Sequence, residues 1–478
     1  MSQSITNYVS VSVSLEGTGP QPAGFGTPML AFQHALESPR LAGPFLSVAD
    51  VIAAGHAAGS VPVLWATAVF SQQPRVTSVF VGRIDAADAT LAVSLSAILA
   101  ANPGVWYALN IASRTSADIL AAAAWVEAQR KIFIAQSNDA SLLTGAGSSY
   151  QAVVGGTPTD GTYVLTFTGF GLVSPVTVTT TRTAGTPATS TLIGDALRAA
   201  LVTAAAGSLL GRVDPASIGG TGATLTWTML GTVEAGTIVA SGTALPSATL
   251  LVTIPDQDIG SALFALQYTR TALVYHPSDT EYLDGAWTSR CLSFDLDQRK
   301  GIWAFKRLNG IAGTTLSNAQ IAALRAVNVN YFAPAVSTAG VPISAFTAQG
   351  WVGSGAAGAG RRIDVTTTLD WAQARYEEAL FSVLIRETHG VPYDDSGFNR
   401  FYAAAATVNA TGLAAGHFVE FRVPLGEPQE GTQTPFITMP TLRSTSAAAR
   451  VARTLTFSAL LYLRAAIERV VFAVEVRQ

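Results

Sequence analysis

Read for chemistry, the chain offers few constellations. Gly353-Ser354-Gly355-Ala356-Ala357-Gly358 fits G-x-G-x-x-G, whose glycines let a backbone approach a pyrophosphate where a strand turns into a helix. The run after it, Arg361 to Thr368 (RRIDVTTT), reads as a strand instead of a helix. No acidic residue stands about 20 positions on within a βαβ unit, so a flexible hairpin tip is expected there. His389, Asp394 and Asp395 have the types for a metal or acid–base cluster, but Gly390 and Pro392 put them in a loop, where carboxylates ordinarily cap turns. Arg361-Arg362 is read as an ion-pairing couple, solvated or interfacial, in preference to a phosphate site. His34, His56, His276 and His417 lack the H-x-x-x-H spacing of a metal-binding helix. Neither G-x-S-x-G nor a P-loop occurs. No catalytic, cofactor-binding or metal-ligating residue is therefore expected, and no cofactor.

Composition narrows the class. The 478 residues are 49% hydrophobic and only 12% charged, with a formal net charge of −3; ordinary soluble domains carry about twice that share of charge. Such a chain is expected to hide much of its surface against partners. The slight negative balance, with no Lys/Arg cluster interleaved with aromatics, argues against nucleic acid as a partner. Mean hydropathy is positive, yet the most apolar long run, Phe457 to Val474, is broken by Arg464, Glu468 and Arg469, so membrane insertion is not expected. Cys291 is the only cysteine; an intrachain disulfide is excluded and a reducing compartment during assembly is expected. The N-terminal residues lack the basic and apolar pattern of a signal peptide.

The elements that would position these residues form a multidomain α/β chain with a mostly parallel core. From Pro28 to Ser137 strands and helices alternate: Val61 to Phe70 and Val76 to Ile84 read as strands, Thr90 to Ala101 as a helix, and Val105 to Ala112 as a strand. A helix capped by Ser116 runs through Gln129, and Lys131 to Gln136 is the next strand. That spacing is a βαβ layout. Near Gly145 the composition turns rich in Thr, Gly and Ala and poor in charge. Tyr163 to Phe167, Val173 to Thr181, Thr224 to Met229 and Thr249 to Ile254 read as strands and Leu192 to Ala206 as a helix, together a small α+β domain inserted in a loop. The α/β pattern resumes with a helix from Gly260 to Thr269, a strand Thr271 to Tyr275, a helix Thr280 to Leu292, a strand Gly301 to Leu308 and a helix from Ser317 to Val327. Ser344 to Val352 and Arg361 to Thr367 read as a hairpin, Asp370 as the cap of a helix to Arg386, and Asn399 to Leu413 as another helix. From His417 the chain reads as β. The expected division is an arm and linker over 1–26, an α/β core over 27–145 with 255–400, the insertion over 146–254, and a C-terminal domain and arm over 401–478.

The two ends share a pattern. Ile5, Val9, Val11, Val13 and Leu15 alternate with Thr6, Tyr8, Ser10, Ser12 and Ser14, and no charge precedes Glu16. Glu16 to Gly26 (EGTGPQPAGFG) is a Gly/Pro linker. At the other end Leu455, Phe457, Ala459, Leu461 and Leu463 alternate with polar residues. A second alternation, of Val470, Phe472, Val474 and Val476, stops just short of Gln478. Period-2 alternation means strands with one buried face, and an uncharged β-prone strand is a hazard unless paired. These strands pair either within their own domain or with neighbouring copies by β-augmentation.

The segment from Lys306 to Phe418 resembles the contractile phage tail sheath proteins catalogued as the DUF3383 family. The residues that carry the match are Lys306-Arg-Leu-Asn-Gly310, Asn328-Val-Asn330-Tyr331, Gly350, Asp364, Asp370-Trp371, Val391-Pro-Tyr-Asp-Asp-Ser-Gly397 and Gly416, with Trp106-Tyr-Ala-Leu and Ala121 to Gln129 upstream. The resemblance covers roughly residues 1–145 and 255–478. It implies a non-enzymatic subunit that self-assembles into hexameric rings stacked helically around a tail tube, with Val9, Val11, Val13, Leu15, Val470, Phe472, Val474 and Val476 in an intersubunit β-sheet. It also implies a tube-proximal C-terminal domain, tail tube, baseplate and tail terminator proteins as partners, assembly in the host cytoplasm and residence in a virion tail. The alternatives are the sheath of a phage-derived secretion or bacteriocin particle and, in a different class, an α/β enzyme with a decorated loop.

Overall fold

The computed structural model describes residues 25–465, apart from 35–38, 103, 145, 170–171, 173, 184–188, 231–235, 245–247, 257, 337–341, 349, 354–360, 388, 424–430 and 432. In chain order the first α/β part is β1 (Pro28–Gln33), β2 (Leu41–Phe45), α1 (Val48–Ala53), α2 (Val61–Phe70), β3 (Val79–Ile84), α3 (Leu91–Ala101), β4 (Ala108–Ile111), α4 (Ser116–Glu127), β5 (Ile132–Ser137) and α5 (Ser141–Thr144). A β-rich stretch follows: β6 (Ala146–Gly156), β7 (Gly161–Gly169), β8 (Val176–Arg182), α6 (Ser190–Ala205), β9 (Thr224–Leu230), β10 (Gly236–Ser241) and β11 (Ala248–Asp256). Then come α7 (Ile259–Leu266), β12 (Thr271–Tyr275), α8 (Leu283–Leu292), α9 (Asn318–Ala326), β13 (Asn330–Val336), β14 (Pro342–Thr347), α10 (Ile363–Arg386) and α11 (Asp395–Ala415). The last part holds β15 (Phe418–Val419), β16 (Phe421–Arg422), β17 (Gln433–Thr434), β18 (Phe436–Thr438), α12 (Ala447–Ala452), β19 (Ser458–Leu460) and β20 (Tyr462–Leu463).

The fold is α/β and multidomain in build, around an eight-stranded sheet in the order β14-β13-β12-β5-β4-β1-β3-β2. The inner six strands are parallel, while β2 and β14 close the two edges antiparallel. Strands β4, β5 and β12 are buried along their whole length, as a sheet covered on both faces requires. Alternate residues serve two cores. Leu30, Val81, Ile134 and Val274 face one that includes Trp65, Trp287 and Trp371; Met29, Phe133, Ala135 and Leu273 face the other, with Leu95, Ile119, Leu263 and Leu324. A third apolar cluster draws only on residues between Tyr150 and Leu250, among two three-stranded sheets, β10-β7-β8 and β11-β6-β9, and the buried side of α6.

Several local expectations are corrected. Val61 to Phe70 is helix α2, not a strand; Pro62 sits in its first turn and it is buried on most sides, so no polar face was left to show a helical period. Arg361 to Thr367 is no hairpin strand. Helix α10 begins at Ile363 and only an isolated bridge, Trp351 to Arg362, precedes it. Asp370 is accordingly no cap but a buried residue inside α10. Thr115, one residue before the expected Ser116, caps α4 through Asp118 N. Gly301 to Leu308 forms no strand: Phe305 takes φ 55° and its N–H donates to Thr347 O at 3.1 Å. Helix α12 and strands β6 and β10 were not anticipated.

Candidate functional site

The strand residues singled out at the two ends, Val9, Val11, Val13, Leu15, Val470, Phe472, Val474 and Val476, lie outside the described residues. The described residues adjoining the two ends begin at Phe25 and stop at Ala465. At the N-terminal root Phe25 is buried, its ring edge-on to Tyr107 at 5.1 Å, and Tyr107 N donates to Thr27 O at 2.9 Å. At the C-terminal root β20 pairs antiparallel with β15, Phe418 opposite Leu463 and Val419 opposite Tyr462. Arg464 N extends that ladder to His417 O at 3.0 Å. Lys300 holds the same point: its Nζ donates to Arg464 O at 2.6 Å and lies 3.0 Å from Asp364 Oδ2 on α10.

The local sequence explains this geometry. Gly416 ends α11 in the left-handed region at φ 79°, a conformation glycine adopts without strain. A side chain at Gly412 would collide with the Phe418 ring. The two glycines thus let β15 fold back onto α11. Among the described residues β15–β20, β16–β17 and β18–β19 are each two-stranded. Val419, Phe421 and Phe436 beside them are more than a third exposed. A groove of about 390 Å³, lined by Leu413, Ala414, Phe418 and Val419 with Glu420 and Arg464, runs along β15.

The other candidates fall apart as sites. Asp394 caps α11, accepting from Gly397 N at 2.9 Å, and Asp395 accepts from Leu442 N at 2.6 Å, while His389 is exposed. Asp394 is a helix cap, as read, whereas Asp395 ties the start of α11 to the distant Leu442 N–H. Of G-x-G-x-x-G only Gly353 is described. A helix, not a strand, follows it, but the preceding strand β14 is an antiparallel edge and not part of a βαβ unit. Arg362 stacks on Trp351 at 5.4 Å, and Arg361 is half-buried in the field of Arg270 and Asp370. His34 and His56 come together with ring centroids 5.2 Å apart, which their spacing could not reveal. Burial, together with the charges of His56 and Arg83, pushes His34 down to about 4. No group of three or more metal-ligating side chains is found among the described residues.

One pairing has nucleophile–base geometry. Thr368 Oγ1 lies 3.1 Å from His417 Nδ1, and His417 Nε2 is 2.7 Å from Leu296 O. A carbonyl can only accept, so Nε2 carries the proton and Nδ1 accepts from the hydroxyl. Both residues are fully buried, and the His417 ring stacks on Trp371 at 4.2 Å. Substrate has no way in, so the pair packs α10 against β15.

The charged groups the sequence concealed lie at the opposite end of the sheet from a usual ligand crevice. Tyr107, Lys131 and Arg270 each immediately precede a parallel strand, β4, β5 and β12. Arg270 grips Asp370 with two bonds of 2.8 Å, and Tyr107 Oη donates to the same carboxylate at 2.6 Å. Arg130 meets Glu377 at 3.1 Å. Glu127 accepts from Thr269 N at 2.8 Å and Arg270 N at 3.0 Å. Lys131 Nζ donates to Trp106 O and sits 4.4 Å from the indole centroid; burial pushes its pKa down to about 7 against the pull of Asp370. This arrangement clamps α10 across the N-terminal ends of the strands. Open α/β sheets bind ligands at the C-terminal ends, beside the strand-order reversal, here between β1 and β4. Near it Asn110 accepts from Trp65 Nε1 at 3.3 Å and Arg114 pairs with buried Asp284 at 3.3 Å, while Arg114 Nε and Nη2 and Asp284 Oδ1 have no hydrogen-bond partner.

No protein-family model matches the chain, so the resemblance carried by its motifs gains nothing from that comparison, and no curated protein matches it. Two solved structures are similar in fold over 98% of this chain and 98% of theirs: the six-fold symmetrised baseplate of the anti-feeding prophage, and the contracted helical sheath of the same particle, both from cryo-EM. Each is 10% identical to this chain with a TM-score of 0.49, a likeness that carries no function across by itself.

Proposed function

We propose that the chain is the structural subunit of a contractile tail sheath, polymerising as stacked hexameric rings around a tail tube and contracting to drive that tube through a host envelope. The observation that carries this reading is the C-terminal root. Among the described residues β20 pairs with β15 alone, and the sequence after it alternates Val470, Phe472, Val474 and Val476 as another strand would. Short ladders and alternating apolar ends on one subunit suit the completion of sheets in neighbouring copies. The ordered motifs from Lys306 to Phe418 and the low charge support a structural role over a catalytic one. In this reading residues 146–254 decorate the outside, residues 401–478 face the tube, and baseplate and terminator proteins cap the assembly. The sheath of a phage-derived secretion or bacteriocin particle is the narrower alternative, which genome neighbourhood separates.

Each augmented strand bond nets about 0.5–1.5 kcal/mol, and ordering the arm offsets much of that. A single link is weak, and a mesh of links to several neighbours is strong through effective concentration. Deleting residues 1–15, or making Val11→Glu, is expected to leave a folded protomer with unchanged thermal unfolding that forms no tubes in negative stain. A lowered melting temperature of the monomer would mean instead that the strand pairs within its own domain. Tubes that persist after the deletion would remove the arm-exchange mechanism.

A further inference from the structure

Asn309-Gly310 is the only Asn-Gly pair in the chain. In such a pair no side chain on the second residue hinders its nitrogen from reaching the asparagine side-chain carbonyl carbon. Both residues are exposed in a bend, and Gly310 takes φ 71°, a conformation glycine adopts without strain. Among the described residues Gly310 N donates no hydrogen bond, so the nitrogen is unencumbered. The asparagine before it is held. Gln72, buried just beyond α2, clasps the Asn309 backbone with both ends of one amide. Its Oε1 accepts from Asn309 N at 3.0 Å, and its Nε2 donates to Asn309 O at 2.8 Å. Ser71 Oγ donates to the same carbonyl at 3.1 Å, and Asn309 Nδ2 donates back to Ser71 O at 3.3 Å. Gln72 is anchored in turn, its Nε2 lying 2.9 Å from Ala68 O in α2.

We propose that Asn309-Gly310 is a site of spontaneous modification, deamidation by its own backbone, and that the Gln72 clasp sets its rate. The Gly310 nitrogen bonds to Asn309 Cγ, and the Cγ–Nδ2 bond breaks. The proton from Gly310 N passes through solvent to Nδ2, which departs as ammonia and leaves a succinimide ring. Water opens that ring at either carbonyl, giving aspartate or isoaspartate at position 309. Water is the only co-reactant. Cyclisation requires Asn309 to bring Cγ onto the Gly310 nitrogen, and an intramolecular step of this kind draws its rate from orientation. The clasp fixes the Asn309 backbone on both sides, and the bond to Ser71 O restrains its side-chain amide. The reaction therefore waits for a local opening of the turn. Its isoaspartate product undoes the clasp, because the added main-chain methylene lies between the N–H that Gln72 Oε1 accepts from and the carbonyl that Gln72 Nε2 donates to. The site does not depend on the sheath reading.

The test is peptide mapping by mass spectrometry of the full chain aged in mildly alkaline buffer, beside the free peptide Arg-Leu-Asn-Gly-Ile-Ala-Gly, the sequence of residues 307–313. Conversion at 309 is read as amide replaced by acid, and isoaspartate as the product that an isoaspartyl methyltransferase labels. Asn309 is expected to convert about tenfold more slowly in the folded chain than in the peptide. Gln72→Met, of similar length and without either bond, should recover most of that difference. Asn138, followed in the same digests, should keep its parent rate in the variant. If Gln72→Met does not fold, Ser71→Ala is read in its place, with a smaller acceleration in the same direction. Asn309 converting as fast in the folded chain as in the peptide, or no faster in the variant than in the parent, would overturn the proposal. So would an acceleration that Asn138 shares, which would be loosening of the whole fold.

Discussion

The Arg270–Asp370 pair shows what single residues do here. Arg270 is 12% and Asp370 2% exposed at the side chain, and Tyr107 completes the carboxylate's shell. Removing one partner of a buried pair costs about 3–5 kcal/mol because the other charge stays behind, whereas replacing both by apolar groups is often neutral. Arg270→Met is therefore expected to lower the denaturant midpoint strongly, and Arg270→Met/Asp370→Leu to recover most of the loss. Lys131 gives a pH signature. Its folded-state pKa is pushed down to about 7 from 10.5. Between those values the unfolded chain holds a proton that the native state has released, so stability rises with pH across that window, by at most about 1.4 kcal/mol per pH unit. Below 7 both states are protonated and the burial penalty is constant. Lys131→Met should flatten the slope between pH 7 and 10 in urea unfolding. None of these partnerships was legible in sequence, since Asp370 reads equally well as a helix cap and its partner lies 100 positions upstream.

Elements were legible where one face is wet and illegible where none is. Thr90 to Ala101, Thr271 to Tyr275 and the helix opening at Ser317 follow their patterns. Ser317 and Gln320 form the reciprocal capping box their spacing allows. Helix α2 was lost because apolar side chains surround it, leaving Pro62 as the one sign of a helix start. The start of α10 was lost because Thr366-Thr367-Thr368 is β-branched and reads as strand; in the fold Thr366 Oγ1 donates to Thr269 O at 2.8 Å and Thr367 Oγ1 to Asp364 O at 3.2 Å, so packing overrides propensity. The stretch from β6 to β11 has its own apolar cluster, and its two ends lie in paired strands, with Asp256 opposite Ser149. Replacing residues 148–252 by a short Gly/Ser linker is expected to leave the rest folded by circular dichroism and able to form tubes. A folded, soluble product that never polymerises would make this stretch an assembly element.

At the scale of the molecule, the strand and helix alternation was enough to anticipate a parallel α/β sheet, while the ends of the chain were legible only as patterns in search of partners. What the fold adds is the way the C-terminal end is attached. Lys300 joins the Arg464 carbonyl to Asp364 in the first turn of α10, and α10 is bolted by Asp370 and Glu377 to Arg270 and Arg130, at the feet of the parallel strands. The few ladder bonds at β15 and β20 are thus only the first members of a load path. In the proposed sheath, a force on the C-terminal end would meet Lys300 and a 24-residue helix paired to residues before two parallel strands. That load would reach both strands together, and the core would be spared peeling from a single edge.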